Sequence, residues 1–144
     1  MRACKKLAAC LLMLTALLGL AGAAGAAGDT EGERARETAL RWLELLDRGD
    51  YDSAYYDAAP LLQRALTLEK WRQTMSALAA KTGPAQEHQF LHGRPAQDLP
   101  GAPKGQYYLL VYKPRFAKQP DLLEQVALIK KSGGQWRVAG YYLK

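Results

Sequence analysis

The chain has 144 residues, two cysteines, 24% charged side chains and a formal net charge of +6. That length is enough for one domain with its own apolar core, stable without disulfide or metal staples. It carries no phosphate loop, dinucleotide fingerprint or serine-nucleophile motif, and its basic residues are too scattered for a nucleic-acid surface.

The first element is a secretory signal peptide, residues 1–27. Arg2, Lys5 and Lys6 form its positive end and Leu7 to Leu20 its apolar centre; Ala21 to Gly28 is a small-residue stretch in which Ala21 and Ala23, or Ala24 and Ala26, fit a signal peptidase. The apolar run of 14 residues falls short of the roughly 20 that a spanning helix needs, so no stable membrane anchor is expected after cleavage. Leu7-Ala8-Ala9-Cys10 has the look of a lipoprotein box, but a lipobox needs its apolar run before the cysteine, and here the run follows it. Both cysteines, Cys4 and Cys10, fall inside the signal, which leaves residues 28–144 without thiols for catalysis, metal binding or disulfides. Losing Arg2, Lys5 and Lys6 leaves 17 basic against 14 acidic side chains, a net charge of +3. Residues 28–60 carry about −5 and residues 61–144 about +8, the pattern of an acidic helical layer on a basic sheet layer.

From Glu33 to Arg48, Ala35, Ala39, Trp42, Leu43 and Leu46 recur three or four apart and predict an amphipathic helix ended by Gly49. Asp50 caps a shorter helix from Tyr51 that Pro60 interrupts, Leu61 to Leu66 bridges as a turn of helix, and Thr67 caps a third run with Leu68, Trp71, Met75 and Leu78 on one face. Gly83-Pro84 closes it. Strands follow: a weak one at Gln86–Arg94, a turn-rich loop at 98–105, a strong one at Gln106–Phe116, and a hairpin of Leu123–Lys131 and Gln135–Leu143 about Ser132-Gly133-Gly134. Helices first and strands afterwards predict one α+β domain over 28–144, with the helices on one face of a curved antiparallel sheet.

The run from Ala39 to Leu43 with Asp47-Arg48-Gly49-Asp50-Tyr51 resembles the start of the bacterial domain of unknown function 4019 family. So do Trp71 with Gly83-Pro84, His92-Gly93-Arg94, Leu99-Pro100-Gly101 with Gly105-Gln106-Tyr107, Phe116, Glu124-Gln125-Val126, and the closing Gly134 to Tyr141. Ser53-Ala54-Tyr55 departs mildly from the family pattern. The resemblance implies an exported bacterial protein with a cystatin-like cone similar to nuclear transport factor 2 and ketosteroid isomerase, and it implies no activity. That architecture hosts enzymes, binding proteins and structural dimers alike.

Candidate site residues come from strand alternation. Glu124 shares a face with Val126 and Leu128, the core side, where a carboxylate needs a cation or hydrogen-bond donors; Arg94 is the candidate partner. Tyr108 and Tyr112 share a face, Tyr142 shares one with Trp136 and Val138, and Tyr55 lies on the second helix. Together they form a candidate pocket lining, with an aromatic core as the competing reading. His88 and His92 have a metal-like spacing, but on a strand they stand about 13 Å apart, so no metal or other cofactor is expected. The preferred reading is a non-catalytic module of the cell envelope that binds a small apolar ligand or a protein partner. An isomerase- or dehydratase-like acid–base enzyme is the alternative, and a structural homodimer the third.

Overall fold

The computed structural model describes residues 29–144. The signal-peptide reading, with Cys4 and Cys10, lies outside the described residues. The chain runs α1 (Asp29–Asp47), α2 (Tyr51–Asp57), α3 (Pro60–Ala65), α4 (Leu68–Thr82), β1 (Ala85–Gln97), β2 (Gln106–Phe116), β3 (Glu124–Lys130) and β4 (Trp136–Leu143). This is the expected α+β order, with α1 beginning four residues earlier than its apolar periodicity and β1 extending three residues further. None of the described helices is long and apolar enough to cross a membrane.

The caps fall where the side-chain chemistry places them. Asp50 accepts the Ser53 N–H at 3.2 Å to open α2, and Thr67 accepts the Lys70 N–H at 3.2 Å to open α4. Gly49 ends α1 at φ 74°, a left-handed conformation that a β-carbon would strain, and this turn sends α2 back along α1. Two tryptophans then lock α2 in place. Trp42 Nε1 donates to the Ala54 carbonyl at 2.7 Å and Trp71 Nε1 to the Tyr51 carbonyl at 2.8 Å, with their rings 5.8 Å apart.

The four strands pair antiparallel in the order β1-β2-β3-β4. Ala35, Ala39, Trp42 and Leu43 of α1, with Trp71 and Met75 of α4, bury against Leu110, Tyr112, Val126, Leu128, Trp136 and Val138 of the sheet. The outer edge of β4 is covered where the Ala59 N–H donates to the Val138 carbonyl at 2.7 Å.

The ladder is interrupted in three places, and the interruptions decide which residues face the helices. In β1, Phe90 pairs with Tyr112 and His92 with Val111, so Leu91 is an extra residue; a second irregularity lies between Ala85 and His88. In β4, Val138 pairs with Leu128 and Gly140 with Ala127, so Ala139 is extra. An extra residue reverses the inside–outside alternation beyond it. Gly93 therefore turns toward the helices, where a β-carbon would come within 2.7 Å of Leu110 Cδ2 and 3.0 Å of Tyr108 Cε1; only glycine lets those side chains lie across β1.

Candidate functional site

Glu124 opens β3 and is 1% exposed on the helix side, as its alternation with Val126 and Leu128 requires. Its cation is His88, not Arg94. His88 Nδ1 lies 2.6 Å from Glu124 Oε2, and His88 Nε2 lies 2.8 Å from Oδ2 of Asp47, the last residue of α1. The Tyr141 hydroxyl donates to Glu124 Oε1 at 2.7 Å. With a proton on each ring nitrogen, the imidazolium donates to both carboxylates, and Glu124 has both oxygens satisfied.

The electrostatics agree with that geometry. Burial opposes protonation of His88, but hydrogen bonds to Asp47 and Glu124 and the charges of both carboxylates outweigh it and push its pKa up to about 9. The negative C-terminal end of α1 also favours a cation there. Burial, then the charge of Glu124, drives the Tyr141 hydroxyl far above its ordinary range, so it is a fixed hydrogen-bond donor. The result is a four-residue clasp, Asp47–His88–Glu124–Tyr141, tying the end of α1 to β1, β3 and β4.

This clasp forms one wall of a cavity of about 290 Å³ between α1, α4 and the sheet. Leu43, Leu46, Met75, Leu78, Ala79 and Phe116 supply its apolar surface, and Tyr51 and Arg48 lie at the α1–α2 turn. Of the clasp, Asp47 retains the most accessible carboxylate, with 24% of its side chain exposed. A larger groove of about 760 Å³ runs between α1 and the Gly133-Gly134-Gln135 turn. Its walls carry mutually paired charges, among them Arg41 with Glu37 and Arg137 with Asp57, which marks a solvated surface.

The seven candidate residues separate into three groups. Glu124 is in the clasp, and Tyr112 stands beside it: fully buried, edge-on to His88 with ring centroids 6.4 Å apart. Its hydroxyl has no hydrogen-bond partner among the described residues, and burial pushes its pKa well above the usual phenol range. Tyr108, Trp136 and Tyr55 are parts of the packed framework. Tyr108 packs edge-on to Trp136 at 5.9 Å, and Trp136 Nε1 donates to Glu31 at 3.1 Å. The Tyr55 hydroxyl lies 2.8 Å from the Leu66 carbonyl and 3.0 Å from that of Gln63, joining α2 to α3.

Arg94 and Tyr142 are corrections. The extra residue Leu91 turns Arg94, paired with Leu109, to the outer face, where it is exposed and away from Glu124. The extra residue Ala139 does the same to Tyr142, which is 59% exposed over Gly140, and brings Tyr141 inward in its place. The Leu91 bulge also separates the histidines, with His88 facing the helices and His92 the outer surface. Among the described residues no group of three His, Cys, Asp or Glu side chains is placed to hold a metal ion. Asp47 and Glu124 reach opposite nitrogens of one ring and do not converge on a common point.

Sequence reasoning passed over Asp47 and Tyr141 and weighed His88 only as a metal ligand; of these, Asp47 carries a local signal. A carboxylate ending a helix, with no basic residue in the last turn, opposes the helix dipole. That local conflict is the available signal for a partner brought by the fold.

An acidic clasp bordering an apolar pocket, on a sheet covered by helices on one face, defines a class of architecture and no reaction. The sequence pattern described as "Protein of unknown function (DUF4019)" matches residues 38–141, and the chain belongs to that family. No curated protein and no solved structure matches the chain.

Proposed function

We propose that the protein is a non-catalytic binding module of the bacterial cell envelope, which takes a small, largely apolar molecule in the cavity between α1 and α4. The observation that carries this reading is the cavity itself: about 290 Å³, with Leu43, Leu46, Met75, Leu78, Ala79 and Phe116 as its apolar surface beside the polar clasp. The clasp is suited to holding that wall in shape. Both nitrogens of His88 are engaged, which leaves the imidazole no lone pair to act as a base. Export follows from the signal-like N-terminus. The bulges that bend β1 and β4 are in keeping with a cone similar to nuclear transport factor 2.

One observation favours the acid–base alternative. Asp47 is partly exposed in the cavity and hydrogen-bonded through Oδ2, an arrangement that orients a carboxylate toward a bound molecule. Against it, Asp47 Oδ2 is already committed to His88 Nε2 at 2.8 Å.

The test is native mass spectrometry of protein purified from its own cell envelope, with displacement of a neutral naphthylamine dye as the solution assay. Binding of a small molecule or of the dye, abolished by Ala79→Phe, which fills the cavity from α4, is the expected result. Failure of the wild-type protein to retain a molecule or take up dye would end the binding reading.

A further inference from the structure

The polar inventory of the cavity says what kind of molecule fits it. Four of its polar side chains are already committed, three as donors and one as an acceptor. His88 donates from both nitrogens, Tyr141 to Glu124, and Thr82 Oγ1 to backbone carbonyls, with Gly83 O at 2.9 Å and Leu78 O at 3.2 Å; Glu124 accepts on both oxygens. Asp47 is different. It accepts through Oδ2 only, and its Oδ1 receives no hydrogen bond from the described residues. The strongest open group on this wall is therefore an anionic acceptor, and the Asp47–His88–Glu124 unit with His88 protonated carries a net charge of −1. The uncommitted donors are the Tyr51 hydroxyl and Arg48, both at the α1–α2 turn, where Arg48 is exposed.

A carboxylate or phosphate ligand on this wall would lie beside Asp47 and the net negative charge of the clasp, with the exposed Arg48 at the α1–α2 turn as the offsetting cation. A neutral hydrocarbon would leave Asp47 Oδ1 desolvated without a partner, which is costly for a charged oxygen. A ligand with an N–H donor and positive charge satisfies that oxygen while its apolar part packs on Leu43, Leu46, Met75, Leu78 and Phe116. Tyr51 and Phe116 add aromatic surface on which a cation is favourably placed.

We propose that the ligand is a small organic ammonium, an amine with a compact apolar or aromatic body, held by Asp47 Oδ1. This rests on the binding reading above and narrows it to one chemical class.

The experiment is a calorimetric or ligand-observed NMR titration of the purified protein at pH 7 with three probes of matched shape: phenethylamine, phenethyl alcohol and phenylpropanoate. The amine is expected to bind at least about ten-fold more tightly than the carboxylate, with the alcohol between them. Asp47→Asn is expected to bring the amine down to the level of the alcohol, with circular dichroism checking that the variant is folded. Carboxylate binding as tight as amine binding would overturn the ammonium assignment and leave the binding reading intact. Absence of binding by all three probes and by the naphthylamine dye would overturn both. The wild-type comparison decides the matter even where Asp47→Asn fails to fold.

Discussion

Replacing His88 by glutamine removes the cation shared by Asp47 and Glu124 while keeping a side chain that can still donate a hydrogen bond. The cost can be worked out in two ways. Raising a histidine pKa from 6.5 in the unfolded chain to about 9 in the fold corresponds to about 3 kcal/mol of stability. Removing one partner of a buried ion pair costs about 3–5 kcal/mol, and Glu124, at 1% exposure, has no route to solvent. The two agree in size. Because the folded pKa lies above the unfolded one, the contribution is complete below about pH 6.5 and is lost as pH rises through about 9. Urea denaturation of wild type and His88→Gln at several pH values isolates it, since other groups titrating in that range are common to both proteins. The wild type should be more stable by about 3 kcal/mol at pH 6, with the gap closing to under about 1 kcal/mol by pH 9. Stability curves that run parallel from pH 6 to pH 9 would refute the ion-paired imidazolium, whatever their separation.

Tyr112→Phe removes a buried hydroxyl that has no partner, so it should leave stability unchanged or raise it by up to about 1 kcal/mol in the same urea assay. A loss of more than about 1 kcal/mol would show that the hydroxyl is engaged in solution. Arg94→Ala, on the exposed outer face, should change stability by less than about 0.5 kcal/mol and leave the pH dependence intact. A flattened pH dependence in that variant would restore Arg94 as a partner of the clasp.

Much of the architecture is a local property of the chain. Helix periodicity through Ala35, Ala39, Trp42 and Leu43, the cap residues Asp50 and Thr67, and the Gly49 stop all act within a few residues of where they stand. The burial of Glu124 was legible for the same reason, since alternation with Val126 and Leu128 is a neighbour relation. It carried a correct physical demand with it, that a buried carboxylate must find a cation and donors. The identity of those partners was not legible. His88 lies 36 residues from Glu124 and 41 from Asp47, and only the approach of α1 to β1 and β3 brings the three together.

The inward aromatics show where strand reasoning stops. Strict alternation assigned Tyr142 to the site, and Arg94, at the end of the first strand, was the candidate partner of Glu124; the extra residues Ala139 and Leu91 turned them outward and put Tyr141 in place of Tyr142. A bulge is chosen by the match between two paired strands, and neither strand records it alone. The sequence by itself determined the element order, the caps, the apolar faces and the need of Glu124 for a counter-charge, because each follows from interactions between near neighbours. The tertiary structure decided that His88 is the counter-charge, that Tyr141 completes the clasp, and that Asp47 joins it beside an apolar cavity. Those depend on strand register and on the seating of helices against the sheet, which are set by the packing of the whole core.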